Sequence, residues 1–265
     1  MQKPDDHWAE GAAYEAYMGR WSRAAARAFM SWLDPEPGLR WLDIGCGTGA
    51  LSAAVIQSSD PESVTGCDPS ASFIAYASAQ NRDLRLSYQV ATLEDLPQTP
   101  GGYGGIVSGL VLNFIADPVE AIKSMMKRMR PGGLVAAYVW DYAGRMDFLR
   151  TFWDTAVTLD AAAEPLDEDR RFPLCRPECL ENTFREAGLS RVRTDAIDIP
   201  TLFNTFSDYW EPFLAGTGPA PNYVAALTAG QRNQLAARLK RRLDPADGGK
   251  IQMTARAWAV RGELE

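Results

Sequence analysis

A glycine-rich loop is the first part of this sequence whose residue types and spacing could do chemistry. The stretch WLDIGCGTGALS, residues 41–52, leads from an apolar run through Gly45, Gly47 and Gly49 into helix-forming residues. Read as G-x-G-x-x-A, it fits the dinucleotide fingerprint, in which backbone N–H groups meet a pyrophosphate. Read as D-x-G-x-G-x-G from Asp43, it suits another nucleoside ligand. The loop alone therefore leaves two ligand classes open.

A carboxylate stands at the distance from this loop that a ribose site requires. Asp68 ends the segment SVTGCD, about twenty residues after the glycines, where an acid can accept hydrogen bonds from both hydroxyls of a ribose. Such an acid serves NAD or any other adenosine-bearing ligand equally. It supports a nucleoside site without choosing the nucleoside.

The elements that must position these residues alternate between strand and helix. Strands are predicted at LRWLDI, SVTGCD, LRLSYQV, YGGIVSGLVL and LVAAYVW. The segment ADPVEA predicts a helix start, because Asp117 can cap it, Pro118 suits its first position and Glu120 is placed for a capping box. That helix is predicted to end at RPGG. The alternation predicts an α/β fold with a doubly wound parallel sheet.

Beyond residue 141 the pattern changes. Helices are predicted over 145–162 and at RPECLENTFREAGL, and two strands follow at RVRTDAIDI and KIQMTARAWAV. An aromatic-rich insertion lies between these strands and ends with a helix whose Thr228 and Gln231 fit a capping box. We expect the insertion to form a helical cap over the carboxyl ends of the strands, where open α/β sheets bind their ligands.

Three further segments, in a fixed order, separate the possible ligands. TLEDLP (92–97) follows the third strand, GLVLNFIADP (109–118) follows the fourth, and MRPGGLV (129–135) precedes the fifth. Together with LDIGCGTG, this ordered set resembles the class I S-adenosylmethionine-dependent methyltransferases, and within them the methyltransferase type 11 group, which includes the ubiquinone/menaquinone C-methyltransferases. The resemblance implies a Rossmann-like, mostly parallel seven-stranded sheet whose last strand is antiparallel.

S-adenosylmethionine, the cofactor that this resemblance implies, also suits the loop physically. It has no phosphate, so the glycine backbone must pack against the methionyl portion and the sugar, which bare glycines allow. The division that follows is a helical lid (1–38), a cofactor-binding α/β core (39–141), a region with helices, the sixth strand and the cap (142–250), and a last strand (251–265).

The resemblance also implies a set of contact residues. The implied cofactor-binding residues are Tyr14, Arg20, Asp43, Gly45, Cys46, Gly47, Asp68, Pro69, Leu93, Glu94, Gly109 and Leu110. Tyr14 or Arg20 is expected near the methionyl carboxylate. Relatives often have an acid where this chain has Thr92, so backbone groups or Glu94 are expected to bind the adenine amine.

Candidates for the acceptor side come from aromatic and polar residues. The position of Asn113 often carries His in relatives, but the only histidine of this chain is His7. Positioning by polar groups is therefore expected, and the candidate catalytic residues are Asn113, Tyr138 and Asp141. The candidate substrate-binding residues are Tyr17, Phe148, Tyr209 and Trp210, which would suit a small apolar or aromatic acceptor. For each of them a purely structural role stays open.

Composition excludes other partners. The net charge of −7 and the pI of about 4.9 argue against a polyanionic substrate, so no nucleic-acid partner is expected. The polar start lacks the pattern of a signal peptide, and the longest apolar stretch is too short to span a bilayer, which predicts a cytoplasmic protein. Cys175 and Cys179, four apart, would suit one helix face, but no second pair completes a zinc site, so no metal is expected.

Two alternatives to a small-molecule methyltransferase remain at this point. An NAD-type dinucleotide-dependent oxidoreductase would use the same loop and Asp68. A non-catalytic S-adenosylmethionine-binding protein would explain the missing histidine. The sequence leaves the acceptor and the oligomeric state open.

Overall fold

A seven-stranded sheet forms the centre of the computed structural model, which describes residues 15–96, 98–214, 218–243 and 249–265. The strands lie in the order β3-β2-β1-β4-β5-β7-β6. Their bounds are β1 Arg40–Ile44, β2 Ser63–Asp68, β3 Leu86–Val90, β4 Tyr103–Gly109, β5 Met129–Trp140, β6 Ser190–Phe203 and β7 Ile251–Glu263.

Helices connect the strands and cover the sheet. A π-helical turn, Glu15–Gly19, leads directly into the first of them. The α-helices are α1 Arg20–Leu33, α2 Ala50–Ser58, α3 Ala71–Gln80, α4 Pro118–Met126, α5 Asp147–Leu159, α6 Glu168–Arg171, α7 Pro177–Glu186, α8 Phe206–Trp210, α9 Pro219–Ala226 and α10 Ala229–Leu243. None of the helices in the described ranges is both long and apolar enough to cross a membrane.

Strand directions confirm the predicted architecture. β1 to β5 pair in parallel, and β4 is buried at every position except its last residue, as a strand covered on both faces must be. β7 is antiparallel to both of its neighbours, β5 and β6. The cap connects β6 to β7, so a continuous antiparallel pair fixes both of its ends.

Several local signals act as predicted. Asp117 accepts a hydrogen bond from the backbone N–H of Glu120 (3.0 Å) at the start of α4. The Glu120 carboxylate, however, pairs with Lys123 instead of completing the predicted capping box. The N–H of Gln231 donates to Thr228 Oγ1 (3.3 Å), and the N–H of Thr228 donates to Gln231 Oε1 (3.0 Å), which confirms the capping box of α10.

The predicted start of β5 is wrong. Helix α4 ends at Met126, and β5 begins at Met129, before the PGG turn. The strand passes through this turn because Gly132 takes a φ of +73° and its N–H donates to the carbonyl of Leu264 (3.0 Å). A local pattern could not show this, since the bonding partner lies at the other end of the chain.

The predicted helix face for the late cysteines is also wrong. Cys175 is buried ahead of α7, whereas Cys179 lies within α7 and is exposed. Among the described residues, no group of three or more His, Cys, Asp or Glu side chains is arranged to hold a metal ion.

Candidate active site

The carboxyl ends of β1, β2, β4 and β5 surround a cavity of about 330 Å³. Its size falls within the range of small-ligand sites, about 300–1,000 Å³. Asp68 is the last residue of β2, Gly109 the last of β4 and Trp140 the last of β5, and all three line the cavity. The cavity therefore lies where open α/β sheets bind their ligands.

The glycine loop forms one wall and needs its glycines for two different reasons. Gly45 has a φ of +66°, and a Cβ there would approach the methyl groups of Val111 to 2.7 Å. Gly47 has a φ of +51°, and its nearest neighbour would be a ring carbon of Phe73 at 4.0 Å. Gly45 thus permits packing within the protein, whereas Gly47 leaves bare backbone facing the cavity.

Asp68 holds this loop to the end of β2. Its carboxylate accepts hydrogen bonds from the N–H groups of Gly47 (3.1 Å) and Ser70 (2.8 Å). Burial raises the pKa of Asp68, while these two bonds act in the opposite direction. A carboxylate has about four acceptor positions, so two remain after these bonds, enough for a ribose diol.

Asp43 contributes a second buried carboxylate. Ser52 Oγ donates to its Oδ2 at 2.6 Å, while Oδ1 has no hydrogen-bond partner within the described part of the chain. Burial raises the pKa of Asp43 to about 7. Because an unpartnered buried acceptor is costly, this cavity-lining side chain fits a ligand that brings a hydrogen-bond donor, such as an amino group.

The N-terminal turn closes the cavity from the other side of the loop. Glu15 accepts hydrogen bonds from Thr48 Oγ1 (2.5 Å) and from the guanidinium of Arg23 (2.6 Å). Met18 and Ser22, one turn further along, line the cavity. The segment before β1 is therefore attached to the glycine loop by side-chain hydrogen bonds.

Charge separates the two ligand classes that the loop left open. The cavity is lined by three acids, Asp43, Asp68 and Glu168, and no Lys, Arg or His is found among its described lining residues. A pyrophosphate would find no cationic partner among these residues, whereas a sulfonium cation is compatible with an acidic lining. The Asp43 Oδ1 atom without a partner among the described residues, the open backbone at Gly47 and the acidic lining all fit S-adenosylmethionine better than NAD.

Known proteins agree with this geometry. Residues 42–137 match the model of a methyltransferase domain. A ubiquinone biosynthesis O-methyltransferase of Rhizobium etli is 31% identical over 184 residues, which is 67% of this chain and 68% of that protein. The chain belongs to the class I S-adenosylmethionine-dependent methyltransferases. It is an enzyme whose cofactor is S-adenosylmethionine.

A second sequence relative and two solved structures resemble this methyltransferase. The protein of that name from Agrobacterium fabrum is 30% identical over 183 residues, 66% of this chain and 68% of that protein. Phosphoethanolamine N-methyltransferase 2 of Haemonchus contortus, solved with S-adenosylmethionine, is 17% identical with a TM-score of 0.58 and covers 96% of this chain and 57% of that one. A cyclopropane-fatty-acyl-phospholipid synthase-like protein of Lactobacillus casei is 17% identical with a TM-score of 0.57 and covers 92% of each chain. These structures share the fold of the methyltransferase.

The cavity brings together many of the residues that the sequence singled out. Those that line it are Asp43, Gly45, Cys46, Gly47, Asp68, Pro69, Gly109, Leu110 and Tyr138. Their individual contacts with the cofactor stay a prediction. Leu93 is buried and Glu94 is exposed, and neither lines the cavity. Tyr14 lies outside the described residues, and so does the side chain of Tyr17.

The remaining candidates are held elsewhere. The Asp141 carboxylate accepts hydrogen bonds from the N–H groups of Gly144 and Arg145, both at 2.9 Å, and so forms the turn before α5. Asn113 is buried in a short 3₁₀ turn outside the cavity lining. A catalytic role for either side chain is not favoured by these positions.

Phe148 and Tyr209, expected as acceptor contacts, are packed in the interior away from the cavity lining. Both rings are at most 2% exposed, and Tyr209 Oη donates to the carbonyl of Phe148 (2.9 Å). Trp210, partly buried, stacks on Phe206. None of these rings lines the cavity. The aromatic residues of the cap pack against one another and form its core, because this packing removes their large apolar surfaces from water.

Sequence reasoning missed most of the cavity wall on the β4 and β5 side. Phe114, Tyr142 and Leu149 lie there together with Glu168 and Pro219. Glu168 stands in the charged segment LDEDRR, which carries no periodicity that separates a buried acid from solvated ones. Only the long-range packing of α6 reveals it.

Arg20, expected near the methionyl carboxylate, points to the cap instead. Its guanidinium pairs with Asp208 (3.0 Å) and lies over the rings of Trp21 (4.3 Å) and Phe203 (4.9 Å). We therefore expect Arg20→Ala to leave the affinity for S-adenosylmethionine within about threefold, under 1 kcal/mol. Because both partners are about one-third exposed, the lost ion pair should cost at most about 1 kcal/mol of stability.

Calorimetric titration and a denaturant melt test this expectation. Arg27→Ala, on the exposed side of the same helix, is the matched control. A tenfold loss of cofactor affinity in Arg20→Ala alone, with the fold intact, would restore the predicted methionyl contact.

Proposed function

We propose that this methyltransferase acts on a small apolar or aromatic acceptor bound at the β4 and β5 side of the cavity. The observation that carries the proposal is the division of the cavity into two chemically different sides. Asp68 and the glycine loop lie at the ends of β2 and β1, whereas Tyr138, Trp140 and Tyr142 lie at the end of β5.

The distance between the two sides suits two ligands placed end to end. From β2 across β1 and β4 to β5 there are three strand spacings, which at about 4.8 Å each make about 14 Å. Behind the lining residues of the acceptor side lies a further aromatic ring. The Phe172 ring packs against those of Phe114 and Tyr142, with centroid distances of 5.0 and 5.7 Å. Such a wall favours a flat apolar molecule.

Methyl transfer on this geometry needs little from the protein beyond alignment. When bound, S-adenosylmethionine supplies a methyl group on a cationic sulfur. The residues at the strand ends hold the acceptor atom in line with it, and the N-terminal turn and the cap exclude water, so that proximity can provide much of the acceleration. The names of the curated relatives, which are O-methyltransferases, support oxygen as the receiving atom. We propose that the reaction takes place in the cytoplasm. We also propose that the lid, the core and the cap have the boundaries predicted from the sequence.

Cofactor choice can be tested on the folded protein without an acceptor. S-adenosylmethionine or its demethylated product at ten times its Kd should raise the free energy of unfolding by about 1.4 kcal/mol, since it binds only the folded chain. NAD at the same concentration should have no measurable effect, because its pyrophosphate would find no cationic partner among the described residues of the cavity. Urea melts with each ligand make the measurement. Stabilisation by NAD alone would contradict the ligand assignment.

Acceptor choice is tested by methyl transfer from isotopically labelled S-adenosylmethionine to a panel of phenols, apolar acids and amines, with products identified by mass spectrometry. We expect turnover to concentrate on acceptors with an apolar or aromatic body. Turnover confined to highly polar acceptors would overturn the proposal.

A further inference from the structure

Glu168 is a buried acid in the cavity wall that the cofactor assignment leaves without a role. It is 3% exposed, lines the cavity and begins the four-residue helix α6. Its carboxylate accepts a hydrogen bond from the indole N–H of Trp153, a ring of α5 that is 1% exposed. Burial of an ionisable acid is costly, and one hydrogen bond from a neutral indole offsets only part of that cost.

The surroundings of Glu168 hold it firmly at the acceptor side. The preceding residue, Asp167, forms a two-point ion pair with Arg150 (2.5 and 2.8 Å) and caps α6 by accepting from the N–H of Asp169 (3.0 Å). Phe172, directly after α6, packs on the rings of Phe114 and Tyr142. Glu168 is thus anchored beside the aromatic wall, on the side of the cavity away from Asp68.

Its charge environment suits a proton acceptor. The charged and titratable groups around it are Asp167, Asp169 and Arg171 on its own segment, Arg150 and Arg176, which pair with Asp167 and Asp169, and Asp141, Tyr142 and Cys175 on the flanking segments. Burial, assisted by the charge of Asp167 and opposed by Arg171 and the Trp153 hydrogen bond, raises the pKa of Glu168 to about 8. The raised pKa makes Glu168 a stronger base than an ordinary carboxylate, as general-base catalysis near neutral pH requires.

Resting on the proposed function, we propose that the acceptor is a phenol and that Glu168 accepts its hydroxyl proton during methyl transfer. Phe114, Trp140, Tyr142 and Glu168 line the same cavity, so a phenol ring packed along the three aromatic residues can direct its hydroxyl to Glu168. A phenolic hydroxyl, with an ordinary pKa of about 10, is close enough in acidity to exchange a proton with such a carboxylate.

The step balances without a further reactant. The acceptor oxygen forms a bond to the methyl carbon, the carbon–sulfur bond breaks with its electron pair going to sulfur, and the proton passes from oxygen to the Glu168 carboxylate. Sulfur thereby loses its positive charge, and the acid becomes neutral. Water takes the proton from Glu168 when the product leaves and the cavity opens.

A variant that keeps the shape of the side chain tests the proposal. Glu168→Gln retains an oxygen that can accept from Trp153 but cannot take a proton at neutral pH. With an ordinary phenol at pH 8 we expect kcat to fall at least about 100-fold, the lower bound for loss of a general base. With a polyfluorinated phenol, whose hydroxyl is already ionised at that pH, kcat should fall less than about fivefold.

Two controls accompany the measurement. Glu164→Gln changes an exposed acid on the preceding 3₁₀ turn and should leave both rates unchanged. The affinity of Glu168→Gln for S-adenosylmethionine, measured by calorimetry, should stay within about threefold of the parent value. Equal losses with the two phenols would show a structural role and overturn the proposal, as would no loss with either.

Measurements on the unchanged enzyme keep the proposal testable if the variant does not fold. The kcat/KM for the ordinary phenol should rise with pH through about 8, because Glu168 of the free enzyme must be ionised, whereas that for the ionised phenol should not rise. A flat profile with both acceptors would overturn the general-base role alone. Turnover with amines and none with any phenol would overturn the phenol assignment and leave the cofactor and cavity assignments intact. If the enzyme neither binds S-adenosylmethionine nor methylates an aromatic acceptor, the proposed function itself is overturned.

Discussion

Replacement of Tyr209 by Ala is expected to lower the free energy of unfolding by about 3–5 kcal/mol, the usual cost of removing a buried aromatic ring. The ring is 1% exposed and meets Phe203 and Phe213, both with centroids at 5.3 Å. Its hydroxyl also reaches across to the carbonyl of Phe148 in α5. The ring therefore joins α8 to β6 and α5 at once, and urea unfolding of the variant measures the loss.

A second substitution at the same position separates packing from the hydrogen bond. Tyr209→Phe keeps the ring and should cost only about 0.5–1.5 kcal/mol. Trp210→Ala, at a partly buried neighbour on the same helix, should cost less than Tyr209→Ala. Should Tyr209→Ala retain parental stability and change only the acceptor KM, the ring would be a substrate contact after all.

Replacement of Asp68 by Ala is expected to weaken binding of S-adenosylmethionine by about 1.5–3 kcal/mol, or roughly 10- to 150-fold, since charged acceptors make the stronger hydrogen bonds. Two effects combine in this loss. The ribose diol loses its acceptor, and the N–H groups of Gly47 and Ser70 lose the carboxylate that holds the loop. Calorimetry gives the affinity, and a melt without ligand shows whether the fold survives, as we expect.

Glu62→Ala is the matched control for this experiment. Glu62 is exposed directly before β2, at the end of the strand opposite to Asp68, and pairs with Arg40 at 3.5 Å. Its removal should leave cofactor affinity unchanged. Unaltered binding by Asp68→Ala would remove the acid from the ribose site and leave it a brace for the loop.

The sequence predicts the cofactor side well because its signals are local. The glycine loop, Asp68 and the strands before them lie within residues 39–68, and strand, turn and helix signals there depend on near neighbours only. Parallel order and right-handed connections then bring the loop and Asp68 to one edge of the sheet.

The acceptor side escapes prediction because distant segments build it. Phe114 lies between β4 and β5, whereas Tyr142 and Glu168 stand far apart in the connection from β5 to β6, and each is an unremarkable residue in its own segment. Arg20 shows the same limit from the other direction: basic and aromatic residues before the first strand suggest a ligand contact, but Asp208, far along the chain, takes the guanidinium. The rings of Tyr209 and Phe148 would suit either a binding cleft or a core, and only the tertiary packing shows that they lie in the core.

The position of β7 has a consequence for how the protein is made. β7, the last strand along the chain, lies inside the sheet between β5 and β6, and its residues Ala257–Glu263 pair with Leu134–Trp140 of β5. During translation the apolar edge of β5 therefore stays without a partner until the ribosome has released β7, and β6 has no place in the sheet before then. Unpaired strand edges are the surfaces through which nascent chains aggregate. Premature termination or proteolysis before β7 would thus remove far more than a terminal segment, because it would leave the sheet open at its interior.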